Sequence, residues 1–197
     1  MMIEALMEVR IDCLVSSSLT LPGGAEEVST LPKHEVQRPT GSNMDGHELW
    51  LSQCAKMDYA PEARLYAEGT RTSQDAADQL GCDVAHIAKS IVFAGQEGAV
   101  VVITSGANHV DRKRKLKRLL GYKPSMTDAD YILENTGYVP GGVPPFGHTK
   151  PCNVFLDEDL LQYELVWGAA GTAQTVFPIT PDKLISLSGA TVADVKQ

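Results

Sequence analysis

The chain has 197 residues, 43% of them apolar and 21% charged, the balance of an ordinary globular protein with one core. Its net charge of −8 argues against a general nucleic-acid binder. No apolar run approaches the roughly 18 residues that suggest a membrane span, and Glu4 and Glu8 stand where a secretory signal would carry basic residues, so a cytoplasmic location is expected.

Residues 1–43 differ from the rest. Ser16-Ser17-Ser18, Pro22-Gly23-Gly24 and Pro39-Thr40-Gly41 give turns and no sustained period, so a disordered or loosely packed extension is expected, with one domain over 44–197. Met44 is a candidate for the authentic start. Apolar positions predict a helix over His47–Asp58, stopped by Pro61. Ala63–Ala67 alternates as a strand. Thr72 and Asp75 form a capping-box pattern for a helix through Leu80, with Gly81 just past its end. Asp83 caps a short helix carrying His86 and Ile87, whose end delivers Lys89 to a strand over Ser90–Ala94.

A hairpin turn at Gly95–Gly98 leads into Ala99–Thr104, whose nearly continuous apolar run predicts a central strand buried on both faces. Asp111 starts a helix closed by Gly121. It carries six basic residues in seven positions: Arg112, Lys113, Arg114, Lys115, Lys117 and Arg118. Thr127 starts another helix, ending before Gly137. Cys152–Asp157 is a strand, Asp159–Gln162 a helical turn, and Glu164–Trp167 and Thr175–Ile179 a strand pair. Pro181 and Gly189 bracket a last helix. Short strands with irregularly placed helices give an α+β class rather than a doubly wound sheet.

Cys13, Cys54, Cys82 and Cys152 are scattered singly, and the five histidines show no i, i+4 pair, so no disulfide framework, metal or cofactor is expected. No G-x-S-x-G elbow is present, which argues against a covalent serine mechanism. Gly141-Gly142-Val143-Pro144-Pro145-Phe146-Gly147-His148 is stiff, glycine-permitted backbone suited to a small polar ligand, or else a surface connection between strands.

This run, with Arg71-Thr72, Ala88–Phe93, Thr136–Pro140 and Trp167–Thr172, resembles the YbaK/EbsC family of aminoacyl-tRNA editing proteins, relatives of the editing domain inserted in bacterial prolyl-tRNA synthetase. The pieces stand in the family's order from about Leu49 onward. The resemblance implies a twisted mixed, largely antiparallel barrel-like sheet with surrounding helices, and hydrolysis of a misacylated tRNA ester. That tRNA would be one for proline carrying a wrong small amino acid.

Lys89, between a helix end and an apolar strand, is partly desolvated or snorkels to water. The resemblance makes it the lysine on which activity depends. Gly142 and its loop would present backbone groups to the ester, with Gly141, Val143, Pro144, Phe146 and Gly147 as pocket residues. His148 is a proton shuttle or a loop staple, and Asp157 an orienting carboxylate or a cap for the turn that follows. Tyr66 matches a pocket tyrosine, or is a half-buried strand aromatic. Gly168, Gly171 and Thr172 belong to a second small-residue turn at the pocket floor. Arg112, Lys113, Arg114, Lys115 and Lys117 would approach acceptor-stem phosphates, or form a solvated face.

The expected partner is the acceptor end of an aminoacyl-tRNA, with a synthetase as a further candidate, and neither DNA nor membrane. Two alternatives stay open: a non-catalytic tRNA- or synthetase-binding module, and a hydrolase or lyase of small aminoacyl compounds.

Overall fold

The computed structural model describes residues 45–65 and 72–197. The reading of 1–43 as a loose extension therefore falls outside the described residues, as do Tyr66 and Arg71.

Among the described residues, five α-helices and seven strands follow in chain order. Helix α1 is Gly46–Lys56, and β1 is Arg64–Leu65. Helix α2, Ser73–Leu80, is set by the predicted capping box: Thr72 accepts from the Asp75 N–H, the Asp75 carboxylate accepts from the Thr72 N–H, and Gly81 closes the helix at positive φ. A 3₁₀ turn, Val84–His86, is capped by Asp83. Strands β2, Ile87–Ala94, and β3, Ala99–Ser105, form the hairpin. The basic segment opens as a wide π turn, Arg112–Leu116, and finishes as α3, Lys117–Leu120. Helix α4 is Ala129–Thr136, capped by Asp128 rather than Thr127; the Thr127 hydroxyl donates instead to the Val92 carbonyl. Then come β4, Asn153–Asp157, a 3₁₀ turn over Glu158–Gln162, β5, Val166–Ala169, and β6, Thr175–Ile179. Helix α5, Pro181–Ser188, precedes β7, Thr191–Ala193, a short edge strand that the sequence pattern did not announce.

The strands form one mixed sheet in the order β1-β6-β5-β2-β3-β4-β7. Pairs β1–β6, β2–β3 and β5–β6 are antiparallel; β2–β5, β3–β4 and β4–β7 are parallel. The sheet is open, with β1 and β7 at its edges, so the barrel-like curvature expected from the resemblance does not close. Strand β3 is buried at every residue. Its alternation divides between two cores: Val101 and Ile103 join Trp50, Phe146, Phe177 and Leu156 on one face, while Val100 and Val102 join Phe93, Leu116 and Phe155 on the other. Among the described residues no helix is long and apolar enough to cross a membrane.

The feature that shapes the site is where β2 and β5 part. They pair only at Ile87↔Trp167 and Ala88↔Gly168. Strand β2 continues along β3 to Ala94, while β5 ends at Ala169 and turns through Gly171. That turn is locked to the start of α1. A Cβ on Gly171, which has φ +97°, would lie 2.1 Å from the Gly46 carbonyl oxygen. His47 Nδ1 reinforces the contact by donating to the Ala170 carbonyl at 2.7 Å.

Gly171→Ala is therefore expected to cost about 3 kcal/mol or more, combining strain and overpacking, or roughly 6–12 °C in Tm for a chain of this size. Gly81→Ala, also at positive φ but with nothing within 4 Å of the added methyl, should cost only about 1 kcal/mol. Equal losses in thermal unfolding would contradict the close approach.

Candidate functional site

Lys89 lies inside β2, paired with Thr104, rather than at a helix end. Its stem shares a sheet face with Ile91 and Phe93, by the period of two. Its ammonium donates to the carbonyls of Gly106 at 3.1 Å and Asn108 at 2.6 Å, in the loop that follows β3. An ammonium has three N–H donors, and among the described residues the third has no partner. Burial pushes the Lys89 ammonium below the ordinary lysine value, against the raising effect of the Asp157 carboxylate.

Asp157 makes no ion pair with Lys89 within reach of a direct contact. It holds the loop that holds the lysine. The carboxylate is fully buried at the end of β4, and accepts from the Thr104 hydroxyl at 2.7 Å, the Ser105 N–H at 3.4 Å and Asn108 Nδ2 at 2.8 Å. Its other oxygen accepts from the Asp159 N–H at 3.3 Å, capping the turn at Glu158–Gln162. One side chain thus both caps that turn and holds the loop that carries Asn108. Asn108 Nδ2 also donates to Asp159 at 2.9 Å, and Asp159 in turn accepts from Lys196 at 2.7 Å. Sequence reasoning missed Asn108. An asparagine two residues after a glycine reads as turn chemistry, and its two carboxylate partners lie some fifty residues away.

Facing Lys89 across the gap between β2 and β5 is a cavity of about 300 Å³. Gly141 and Val143 of the glycine loop and Gly168 and Thr172 of the second turn line it, with Ala76 of α2 at its side. The two glycine turns touch backbone to backbone: a Cβ on Gly142 would lie 2.8 Å from the Gly171 carbonyl oxygen. On Gly168, a Cβ would meet the Phe177 ring at 3.0 Å and Pro145 at 3.2 Å. The Gly142 N–H is spent in the turn, donating to the Val139 carbonyl at 3.0 Å.

The rest of the loop faces elsewhere. Phe146 is not a wall of this cavity; it is 2% exposed and packs on Trp50, Phe177 and Tyr59. Pro144 and Gly147 also sit behind the cavity, their carbonyls accepting from His148 Nε2 at 2.9 Å and the Tyr138 hydroxyl at 2.7 Å. Burial pushes the His148 imidazole below the ordinary histidine value, so it stays neutral at pH 7 and staples the loop. Gly171 is buried beneath Gly46 rather than open to the cavity. Cys152, closest of the thiols to the loop, is pushed up to about 11 by burial and is no thiolate at neutral pH.

The basic segment is partly consumed by the fold. Arg114 pairs with Asp111 at 2.9 Å, Lys115 with Asp194 at 2.5 Å, and Arg112 donates to the Pro124 carbonyl at 2.7 Å. Lys113 and Lys117 are exposed. Arg112, Lys113 and Arg114 border a second, larger cavity that also reaches Lys89.

Residues 67–187 match the model of the aminoacyl-tRNA editing domain family. The uncharacterised protein YwhH of Bacillus subtilis is 30% identical over 123 residues, 62% of this chain and 78% of its own. A candidate Cys-tRNA(Pro)/Cys-tRNA(Cys) deacylase, EbsC, of Enterococcus faecalis is 26% identical over 141 residues, 71% of this chain and 86% of its own. The crystal structure of a candidate trans-editing enzyme for prolyl-tRNA synthetase superposes with a TM-score of 0.74 at 37% identity, over 79% of this chain and 99% of that one.

Asp157→Asn removes the charge that raises the Lys89 pKa and leaves the burial that lowers it. The ammonium should then titrate at lower pH than in the unsubstituted protein, read by NMR of ¹⁵N-labelled lysine side chains. An unchanged or higher value would contradict the electrostatic coupling of these two groups.

Proposed function

The chain belongs to the aminoacyl-tRNA editing domain family, and from that premise we propose that it is a deacylase hydrolysing the ester of a misacylated tRNA. The observation that carries the reading is the shared cavity: a part-buried ammonium, a stiff glycine loop and a second glycine turn enclose about 300 Å³, at the low end for a ligand pocket. A cavity of this size favours a small amino acid, and the likeness to a candidate trans-editing enzyme for prolyl-tRNA synthetase supports tRNA for proline as its carrier. A synthetase pocket discriminates poorly against smaller or near-isosteric side chains, so a second sieve is needed.

An aminoacyl ester is already activated, so the chemistry asked of the protein is modest. The acyl carbonyl sits at Lys89, whose uncommitted N–H stabilises the oxyanion formed when water adds to the carbonyl carbon. Collapse breaks the bond to the ribose oxygen, which leaves with one of the water's protons as a 2′- or 3′-hydroxyl; the amino acid departs as its carboxylate, and the water's other proton passes to solvent. Val143, Gly168 and Thr172 bound the space for the side chain. A Cβ at Gly168 would press on Phe177 at 3.0 Å and Pro145 at 3.2 Å, so a side chain there would have to displace them. Gly142 and His148 act behind the cavity, as positioning residues that fix the loop. Lys113 and Lys117, exposed and outside any ion pair among the described residues, are the cations for acceptor-stem phosphates. The substrate belongs to translation, which places the protein in the cytoplasm.

Lys89→Ala should lower kcat/KM on mischarged tRNA by about 10²–10³, the range for loss of one oxyanion donor. Activity needs the charged lysine, so it should fall as pH rises through the Lys89 pKa, and that limb should lie below the ordinary lysine range. Equal single-turnover rates for the variant and the unsubstituted protein would remove the catalytic assignment. Charge reversal at Lys113 and Lys117 should weaken tRNA binding and flatten its salt dependence, by about one in slope for each lost phosphate contact.

A further inference from the structure

The C-terminal residues reach back to the loop that holds Lys89. Beyond β7, the Asp111 N–H donates to the Val195 carbonyl at 2.7 Å, Val110 and Lys196 form an antiparallel bridge, and the Gln197 N–H donates to the His109 carbonyl at 2.8 Å. The Val195 side chain is fully buried with Phe93, Val100 and Leu116, which fixes the tail to the sheet. Side chains tie the same two segments. Lys196 Nζ donates to both carboxylate oxygens of Asp159, each at 2.7 Å, and Asp159 accepts from Asn108 Nδ2 at 2.9 Å. Asn108 Nδ2 also donates to Asp157 at 2.8 Å, so one amide nitrogen with two N–H groups serves two carboxylates. Two carboxylates brought to one nitrogen repel each other unless cations balance them. Lys196 balances Asp159 and, with Asn108, holds its carboxyl below the usual carboxylate range. Asn108 is also the residue whose carbonyl accepts from Lys89 at 2.6 Å. The tail lies beyond the 67–187 segment matched to the family model.

We propose that Val195–Gln197 strap the Lys89 loop in place, and that Lys196 is a positioning residue acting through Asp159 and Asn108 on the ammonium of Lys89. The effect on rate rests on the deacylase reading; the effect on the lysine does not. Without the Lys196 charge, repulsion from Asp157 turns Asp159 toward water, and Asn108 loses one of its two anchors. The Asn108 carbonyl then shifts, and with it the shorter of the two bonds that aim the ammonium. A reacting group displaced by about 1 Å costs up to about 10²-fold in rate. Lys196 is part exposed, but it spends its charge on Asp159 rather than offering it to a phosphate.

The tests use the full chain with Lys196→Met, which keeps a similar stem and removes the charge; deleting the tail would also remove the buried Val195. Lys196→Arg restores a cation whose fork fits both Asp159 oxygens. The first measurement needs no substrate: hydrogen exchange of the Lys89 ammonium and the Asn108 amide, followed by NMR of the ¹⁵N-labelled protein. Exchange at both should quicken several-fold in Lys196→Met and return in Lys196→Arg, with the amides of β5 and β6 unchanged. Exchange unmoved at Lys89, or quickened equally across the sheet, would overturn the strap. The second measurement is turnover of a panel of mischarged tRNAs, beginning with tRNA for proline charged with alanine or cysteine. Lys196→Met should lower kcat about tenfold and leave KM within about twofold. Adding Asp159→Asn should cost little more, because the two residues act in series. A raised KM with kcat intact, and a salt slope smaller by about one, would make Lys196 a phosphate contact and overturn the positioning role. Quickened exchange at Lys89 in Lys196→Met, with none of the panel turned over by the unsubstituted protein, would leave the strap standing and remove the deacylase reading.

Discussion

A lysine ammonium in the middle of a strand, part-buried between apolar neighbours, survives only if acceptors come to it. Here they come from a loop, the carbonyls of Gly106 and Asn108, and the loop is fixed by a buried carboxylate one strand further on. The arrangement separates two jobs that a direct salt bridge would combine. Asp157 positions the loop and raises the ammonium's pKa from a distance, while the lysine keeps one donor uncommitted. Gly106 makes this possible sterically, since a Cβ there would lie 2.3 Å from the Val84 carbonyl oxygen.

The cavity opposite is a consequence of sheet geometry. Strand β5 leaves β2 after two paired residues, and Gly141, Val143, Gly168 and Thr172 of the two turns line the gap. Glycines 142 and 171 are where the two turns and α1 approach each other too closely for a Cβ. The rigid backing is the aromatic cluster of Trp50, Phe146 and Phe177. The loop's residues thus divide between a face that meets the cavity, Gly141 and Val143, and a face that anchors it, Pro144, Phe146, Gly147 and His148.

That division marks what was legible in the sequence. Local chemistry was readable: the Thr72/Asp75 capping box, the closing glycines at 81, 121, 137 and 189, and the doubly buried β3 follow from short-range rules. The ordered glycine motifs, through their resemblance to an editing family, pointed to Lys89, Gly141 and Val143, which line one cavity. Tertiary partners were not readable. Nothing within ten residues of Phe146 says that it turns toward Trp50, and nothing near Arg114 or Lys115 distinguishes a paired cation from a free one. Asn108 reads as a turn residue until Asp157 and Asp159 are brought beside it. Strand β7 is three residues long and takes its identity from pairing with β4, so no periodicity could announce it. Thr127 and Asp128 are both good caps; the hydrogen bond from Thr127 to Val92 leaves the helix to Asp128.

The most direct test of the central claim is a crystal structure of the full chain with an amide-linked, non-hydrolysable aminoacyl-adenosine. The account predicts the acyl oxygen at about 3 Å from Lys89 Nζ, with the amino-acid side chain between Val143 and Gly168. An acyl group bound on the His148 side of the glycine loop, with the cavity beside Lys89 left untouched, would contradict it.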